Sequence, residues 1–206
     1  MGALVDYYAA RRILDDYKIR SVKSRYVKSA DDAVSFMEES SQMALKLISQ
    51  KALHKSKSGL VMLGLGTERD VRDAYARLER RMAKLRPCRI LAQQMVRGGT
   101  EVIVGGSVDA QFGKMILLGL GGIYVETFKD FALRLCPITR YDALSMVNQL
   151  RSREVIAPDR RSAEMIAGVL IKVSRMFGEG DFSELDLNPV ILHDGTYDVV
   201  DLRILR

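Results

Sequence analysis

Leu4, Tyr8, Ile13 and Leu14 fall near one side of a helical projection of residues 3–17, with Arg11, Arg12, Asp15 and Asp16 largely elsewhere. That spacing predicts an opening amphipathic helix. A short strand over Ser21–Val27 follows, and Ser29 with Asp32 three residues on reads as the cap of a helix to about Glu39. MALKLI, at 43–48, and LVMLGL, at 60–65, read as strands. Between them lies the polar, basic stretch LHKSKSGL, 53–60. Thr67 caps a long helix whose apolar stripe is Val71, Ala74, Tyr75, Leu78 and Met82, and Pro87 stops it.

From Arg89 to Leu135 the texture changes to short apolar runs broken by glycines, RILAQQMV, EVIVGGSV, KMILLGLGGIYVE and FALRL, which predict strands and turns. Thr139 with Asp142 opens a helix to about Arg151. Asp159 or Ser162 opens another that ends at Phe177–Gly178, with glycine supplying the C-terminal cap. The last thirty residues read as two strands, FSELDLNPVILH and TYDVVDLRI. This order predicts an α/β protein of two lobes, residues 1–90 and 91–206, joined near 88–96, and ligands commonly bind between such lobes.

Asp194-Gly195 is a strong two-residue hairpin signal. With that turn, His193 faces Thr196, Asn188 faces Asp201 and Asp186 faces Arg203. Strand alternation then collects Glu184, Asp186, Asn188, Asp201 and Arg203 on one face and Leu185, Leu187, Val200, Leu202 and Ile204 on the other. Such an oxygen-rich face suits a hard cation such as Mg²⁺ held together with phosphates. A solvated sheet face with an Asp186–Arg203 ion pair fits the pattern about as well, and Pro189 is placed to disturb the register. His193, beside the turn, reads as a surface residue.

Apolar residues make up 48% of the 206 residues, enough for a sizeable core, and no apolar run is long enough to cross a membrane. The N-terminus mixes charged with apolar residues too early for a signal peptide, and Cys88 and Cys136 stand far apart, which together predict a cytoplasmic protein with reduced thiols. The net charge of +6 admits nucleic acid, a membrane surface or a phosphate ligand. The densest basic run, Arg77–Arg89, reads as the solvated face of a helix, and aromatic residues are not interleaved with the basic ones as single-strand binding requires. Gly119, Gly121 and Gly122 are not a dinucleotide fingerprint, because a strand rather than a helix follows them. They read as a tight turn or as a close backbone approach to a ligand.

Several blocks in one order give the chain a resemblance: MALKLIS at 43–49, LHKS at 53–56, QQMVRGGTEVIVG at 93–105, QFGKMILLGLGGIYVE at 111–126, LRLCPITRYDA at 133–143, ELDLNPV at 184–190 and VVDLRI at 199–204. Over almost its whole length the chain resembles the ATP-grasp family, and within it the beta subunits of ADP-forming acyl-CoA synthetases, relatives of succinyl-CoA synthetase.

The resemblance implies an ATP-grasp fold of two α/β lobes with nucleotide between them. It implies an acid–thiol ligase, acyl-CoA + ADP + phosphate = acid + ATP + CoA, in which this chain is the nucleotide half. An alpha subunit in a heterotetramer would carry the CoA and acyl-transfer site, with no nucleic acid or membrane partner. His54 is implied as the phosphohistidine relay, Asn188 and Asp201 as Mg²⁺ ligands, and Lys46 as a contact to ATP phosphates. Read alone, Lys46 is an exposed strand-edge lysine. Gln94, Met95 and Val96 would form the hinge beside adenine, and Glu101, also assigned to nucleotide binding, joins Gly121, Gly122, Glu126 and Arg134 in blocks resembling active-site surroundings. The chain departs from its relatives after HKS, where an acidic residue and two glycines give way to Lys57, Ser58, Gly59 and Leu60. That departure motivates the alternative of a non-catalytic nucleotide-binding or assembly subunit.

Overall fold

A computed structural model gives the fold and describes residues 2–38, 42–49, 59–121 and 130–206. Within these, sixteen elements run in the order α1 (Tyr7–Asp16), β1 (Ser24–Val27), α2 (Ala30–Glu38), β2 (Met43–Ser49), β3 (Val61–Leu65), α3 (Glu68–Leu85), β4 (Cys88–Gln94), β5 (Thr100–Asp109), β6 (Gly113–Leu120), β7 (Phe131–Leu135), α4 (Arg140–Gln149), α5 (Arg153–Ile156), α6 (Arg160–Glu179), β8 (Glu184–His193), β9 (Thr196–Val199) and β10 (Leu202–Leu205). The caps follow the sequence signals. The Thr67 and Thr139 hydroxyls accept from Asp70 and Asp142 N–H in reciprocal capping boxes, and Asp159 accepts from Ser162 N–H at 2.7 Å.

Two helices differ from expectation. The opening helix starts at Tyr7 rather than residue 3, because Asp6 caps it and Leu4 bridges Leu205 as extended backbone. The helix expected to stop at Phe177–Gly178 runs through Glu179, with Gly180 at the cap in extended backbone donating to Met176 O.

The chain forms two compact units, Val22–Arg97 and a larger one made of Met1–Ser21 with Gly98–Arg206. This differs from a division into 1–90 and 91–206. The leading segment pairs with the last strand through Val5 N–H to Ile204 O and Arg206 N–H to Ala3 O, so it belongs with the C-terminal residues.

In the 22–97 unit the strand order is β1-β4-β2-β3, all antiparallel. One face carries Met43, Leu45, Leu47, Ile90 and Ala92, packed with Phe36 of α2 and Val71, Ala74 and Leu78 of α3 in one buried cluster. Burial of these alternate residues is the main stabilising contribution to the unit. Arg77, Arg80, Arg81 and Lys84 line the exposed side of α3, the solvated face the sequence predicts.

In the larger unit the order is β10-β8-β5-β6-β7, with β9 also on β8. Val102, Val104, Ile116, Leu118, Leu185 and Leu187 are buried with Val173 and Phe177 of α6 and Met146 of α4. Gly106 admits the Phe177 ring, because a Cβ there would stand 3.0 Å from it. Both cysteines are free thiols, and burial pushes both up from the ordinary thiol value. Among the described residues no helix is long and apolar enough to cross a membrane.

Candidate functional site

Lys46 lies on β2, a central strand, with Val61 of β3 opposite on one side and Leu91 of β4 on the other. It is 8% exposed, so it is a buried lysine and not the strand-edge residue its neighbours alone suggest. Alternation turns it away from the helix-packed face, onto the face shared with Ala44, Leu91, Gln93 and Ser24. Gln93 and Ser24 are themselves buried polar residues. They were not singled out in the sequence, although the polar pair QQ at the end of an apolar strand marks the place.

Gln94, Met95 and Val96 follow at the end of β4. Gln94 N–H donates to Lys23 O at 2.9 Å and Met95 N–H to Gln42 O at 3.1 Å. The Met95 thioether lies 3.0 Å from Gly64 N–H, which ties this stretch to β3.

The hairpin in the larger unit has the register its turn dictates. His193 faces Thr196, Val190 faces Val199, Leu187 faces Leu202 and Asp186 faces Arg203. Asn188 N–H donates to Asp201 O at 3.2 Å and Val200 N–H to Pro189 O at 3.0 Å, so the same register runs through the interruption. The disturbance expected at Pro189 falls on the other neighbour: the β5–β8 ladder shifts between Val102 and Val104. Asn188 and Pro189 together oppose Ile103 there, a β-bulge. The rungs Asn188–Asp201 and Pro189–Val200 therefore separate two buried rungs, Leu187–Leu202 and Val190–Val199. Val200, expected on the apolar face, is only partly buried as a result.

Asp201 Oδ1 accepts from Leu202 N–H at 3.0 Å, which orients the carboxylate on its own backbone. The carboxylate face also contains its own cation, since Arg203 pairs with Glu184. Arg203 also faces Asp186 across the ladder. Among the described residues no group of three or more His, Cys, Asp or Glu could hold a metal. Asn188 and Asp201 supply an amide oxygen and a carboxylate, hard donors that fit Mg²⁺ when phosphate oxygens and water complete the shell.

Glu101 lies on β5, exposed, on the strand face that carries Gly105 opposite Asp186. Gly121 N–H donates to Glu101 O at 2.7 Å. A Cβ on Gly121 would meet Glu101 C at 2.8 Å, so this glycine serves a close approach of two backbones. Arg134 is not brought to the carboxylate face. Its register opposite Ile116 turns it to the helix side, where its guanidinium donates to Gln149 Oε1 at 3.1 Å and Ser145 Oγ at 3.0 Å. His54, Gly122 and Glu126 lie outside the described residues.

His193, expected at the surface, is of intermediate exposure beside the turn. Its side chain is 16% exposed and its Nε2 donates to the Asp198 carboxylate at 2.9 Å.

The ATP-grasp domain model matches residues 2–205. The chain is 34% identical to the beta subunit of acetate–CoA ligase [ADP-forming] II of Pyrococcus furiosus, over 98% of this chain and 91% of that one. It is 36% identical to acetate–CoA ligase [ADP-forming] I of Archaeoglobus fulgidus over 94% of its own length, but spans only 30% of that longer ligase. Among solved structures it is similar, with a TM-score of 0.82 at 32% identity over 98% of this chain and 92% of the other, to the dinucleotide forming acetyl-coenzyme A synthetase 1 of Ca. Korarchaeum cryptofilum with coenzyme A and Mg-AMPPCP, whose phosphohistidine segment points towards the nucleotide binding site. The chain belongs to the ATP-grasp family, in the group that includes the beta subunits of ADP-forming acetate–CoA ligases.

Proposed function

We propose that the chain is the nucleotide-binding beta subunit of an ADP-forming acyl-CoA synthetase and that it relays phosphate between ATP and an acyl-transfer site through His54. The single observation that carries this reading is the Asn188–Asp201 rung, two oxygen donors held opposite each other at a bulge between buried rungs. The buried Lys46 supports it from the other unit.

In this reading Lys46 supplies a fixed positive charge to the phosphates, as a point charge on a rigid strand. Backbone groups of Gln94–Val96 meet adenine. The N–H groups of Gln94 and Met95 are engaged with Lys23 and Gln42, which turns the proposal to the Val96 N–H. Asn188 and Asp201 would hold Mg²⁺, which when bound shields the phosphate charge during transfer. A ring nitrogen of His54 attacks the terminal phosphorus of ATP. An N–P bond forms, the bond to the bridging oxygen breaks, and ADP leaves. The phosphate then passes to the CoA-binding portion, in this reading a separate alpha subunit in a heterotetramer; the Pyrococcus relative is itself named a beta subunit. The length of the Archaeoglobus ligase suggests a fused equivalent in other members.

The experiment is incubation with Mg²⁺ and ATP labelled on its terminal phosphate. We expect acid-labile label on the wild type and none on His54→Ala. Label that survives in His54→Ala overturns the relay assignment. ATP-dependent thermal stabilisation without any label supports a non-catalytic nucleotide-binding or assembly subunit instead.

A further inference from the structure

The chain leaves the larger unit after Ser21 and returns to it at Gly98. Both crossings are seated on one hairpin. At the first, Arg20 N–H donates to the Tyr197 hydroxyl at 3.3 Å and Arg20 O accepts from Val199 N–H at 3.0 Å. Its guanidinium donates through Nε to Asp198 Oδ1 at 2.8 Å and through Nη1 to Thr196 Oγ1 at 3.3 Å. Ser21 then bridges Val199 in parallel. Every one of these partners lies on β9. At the second crossing, Gly99 has φ +98 and packs so closely that a Cβ would stand 2.5 Å from Leu192 O, 2.8 Å from Ile191 Cγ2 and 3.2 Å from His193 Cβ. Thr100 continues in register opposite Leu192. These partners lie on β8.

Asp198 joins the two sets. It is 5% exposed, and both carboxylate oxygens are used, Oδ1 by Arg20 and Oδ2 by His193 Nε2 at 2.9 Å. A buried carboxylate with both oxygens satisfied by charged or ring N–H donors is a stiff link. Asp198 faces Ile191, three rungs along the same hairpin from Asn188–Asp201.

We infer that the β8–β9 hairpin is the common anchor of both chain crossings, and that Asp198 is the positioning residue that couples them to the Asn188–Asp201 rung. The anchor itself stands on the hydrogen bonds and the Gly99 packing. The coupling to nucleotide rests on the reading of that rung as part of the nucleotide site. Nothing in the inference requires Asp198 to touch a ligand. It holds Arg20 and His193 in place, and through them the crossings on the two strands.

Amide hydrogen exchange on the full chain tests this, with and without Mg-ATP. Asp198→Asn keeps the shape of the side chain but cannot accept from both donors. It should speed exchange about tenfold in residues 17–22, the equivalent of one charge-assisted hydrogen bond, and also in 97–101, where Asp198 bonds nothing directly. A merely local role predicts a rise in 17–22 alone, and that result overturns the shared anchor. Gly99→Ala approaches from the other side: strain at the second crossing should speed exchange in 17–22, and unchanged exchange there overturns the inference even if Asp198→Asn fails to fold. In the wild type, Mg-ATP should slow exchange in both stretches, and in Asp198→Asn this protection should be lost. Protection retained in the variant contradicts the coupling. A wild type that shows no protection by Mg-ATP counts against the nucleotide site itself, while the exchange rates without nucleotide still decide the anchor.

Discussion

Lys46 sits on a strand whose ladder to β4 is unbroken and whose ladder to β3 shifts at Met43–Leu45 with the extra residue on β3, whereas Asn188 lies on the bulged strand itself and faces Asp201 there. The difference fits what each group would do in the proposed function. An ammonium acts as a point charge, so the unbroken ladder to β4, which fixes its Cα, is support enough. Two oxygens proposed to converge on one ion would need their backbones re-aimed, and a bulge with a proline in it re-aims a strand locally while the buried rungs on either side keep the register. The surroundings differ in the same sense. Lys46 shares its face with the neutral polar residues Gln93 and Ser24, while the strand face of the oxygen pair also carries Glu184 and Arg203, which pair with each other.

The sharpest way to break the comparison is at the lysine. Lys46→Met keeps the length of the side chain and removes its charge, and the variant should still fold. The initial rate of His54 labelling should fall by about 10²–10³-fold, the loss expected for removing one preorganised charged donor. A fold that collapses in this variant would assign Lys46 to structure rather than to phosphate. Next in size is Gly121→Ala. A Cβ there meets the Glu101 backbone, so the variant should lose about 1–3 kcal/mol in urea unfolding, the usual cost of overpacking. An unchanged midpoint would mean that the two strand ends separate freely. Smaller still are the helix caps, one in each unit. Thr67→Ala and Thr139→Ala should each cost about 1 kcal/mol, read by the same unfolding titration.

The smallest effect is on pH dependence. The Thr139 hydroxyl and backbone N–H hold the Asp142 carboxyl below its usual value. A depressed folded value gives stability that is present above the unfolded value, near pH 4, and is lost as pH falls through the folded one. Asp142→Asn should therefore flatten the acid side of the urea midpoint against pH, and an unaltered slope would contradict the cap.

The hairpin was legible in the sequence because its information is local. Asp194-Gly195 sets the turn, the turn sets the register, and the register places Asn188 against Asp201 at any chain length beyond it. The helix caps were legible for the same reason. The burial of Lys46 was not, because it depends on strand order: β4, more than forty residues later, inserts between β1 and β2 and makes β2 central. A period-two pattern reports which residues share a face but not how many strands flank them. The place of the first twenty-one residues was hidden likewise, since their partners are the last strand and the β8–β9 hairpin. Arg134 shows the limit of reading by neighbourhood: its block fits the family, but the register of β7 on β6 sends its side chain to Gln149 and Ser145.

Calorimetric titration of ATP, with and without Mg²⁺, tests most directly whether the two regions serve one nucleotide. The titrations would compare the wild type, Lys46→Met and the double variant Asn188→Ala/Asp201→Ala. Lys46→Met should weaken ATP binding by the same factor whether Mg²⁺ is present or not. The double variant should bind metal-free ATP as the wild type does and lose the gain that Mg²⁺ brings. Wild-type affinity for Mg-ATP in both variants would contradict the account, because neither the lysine nor the oxygen pair would then belong to the nucleotide site.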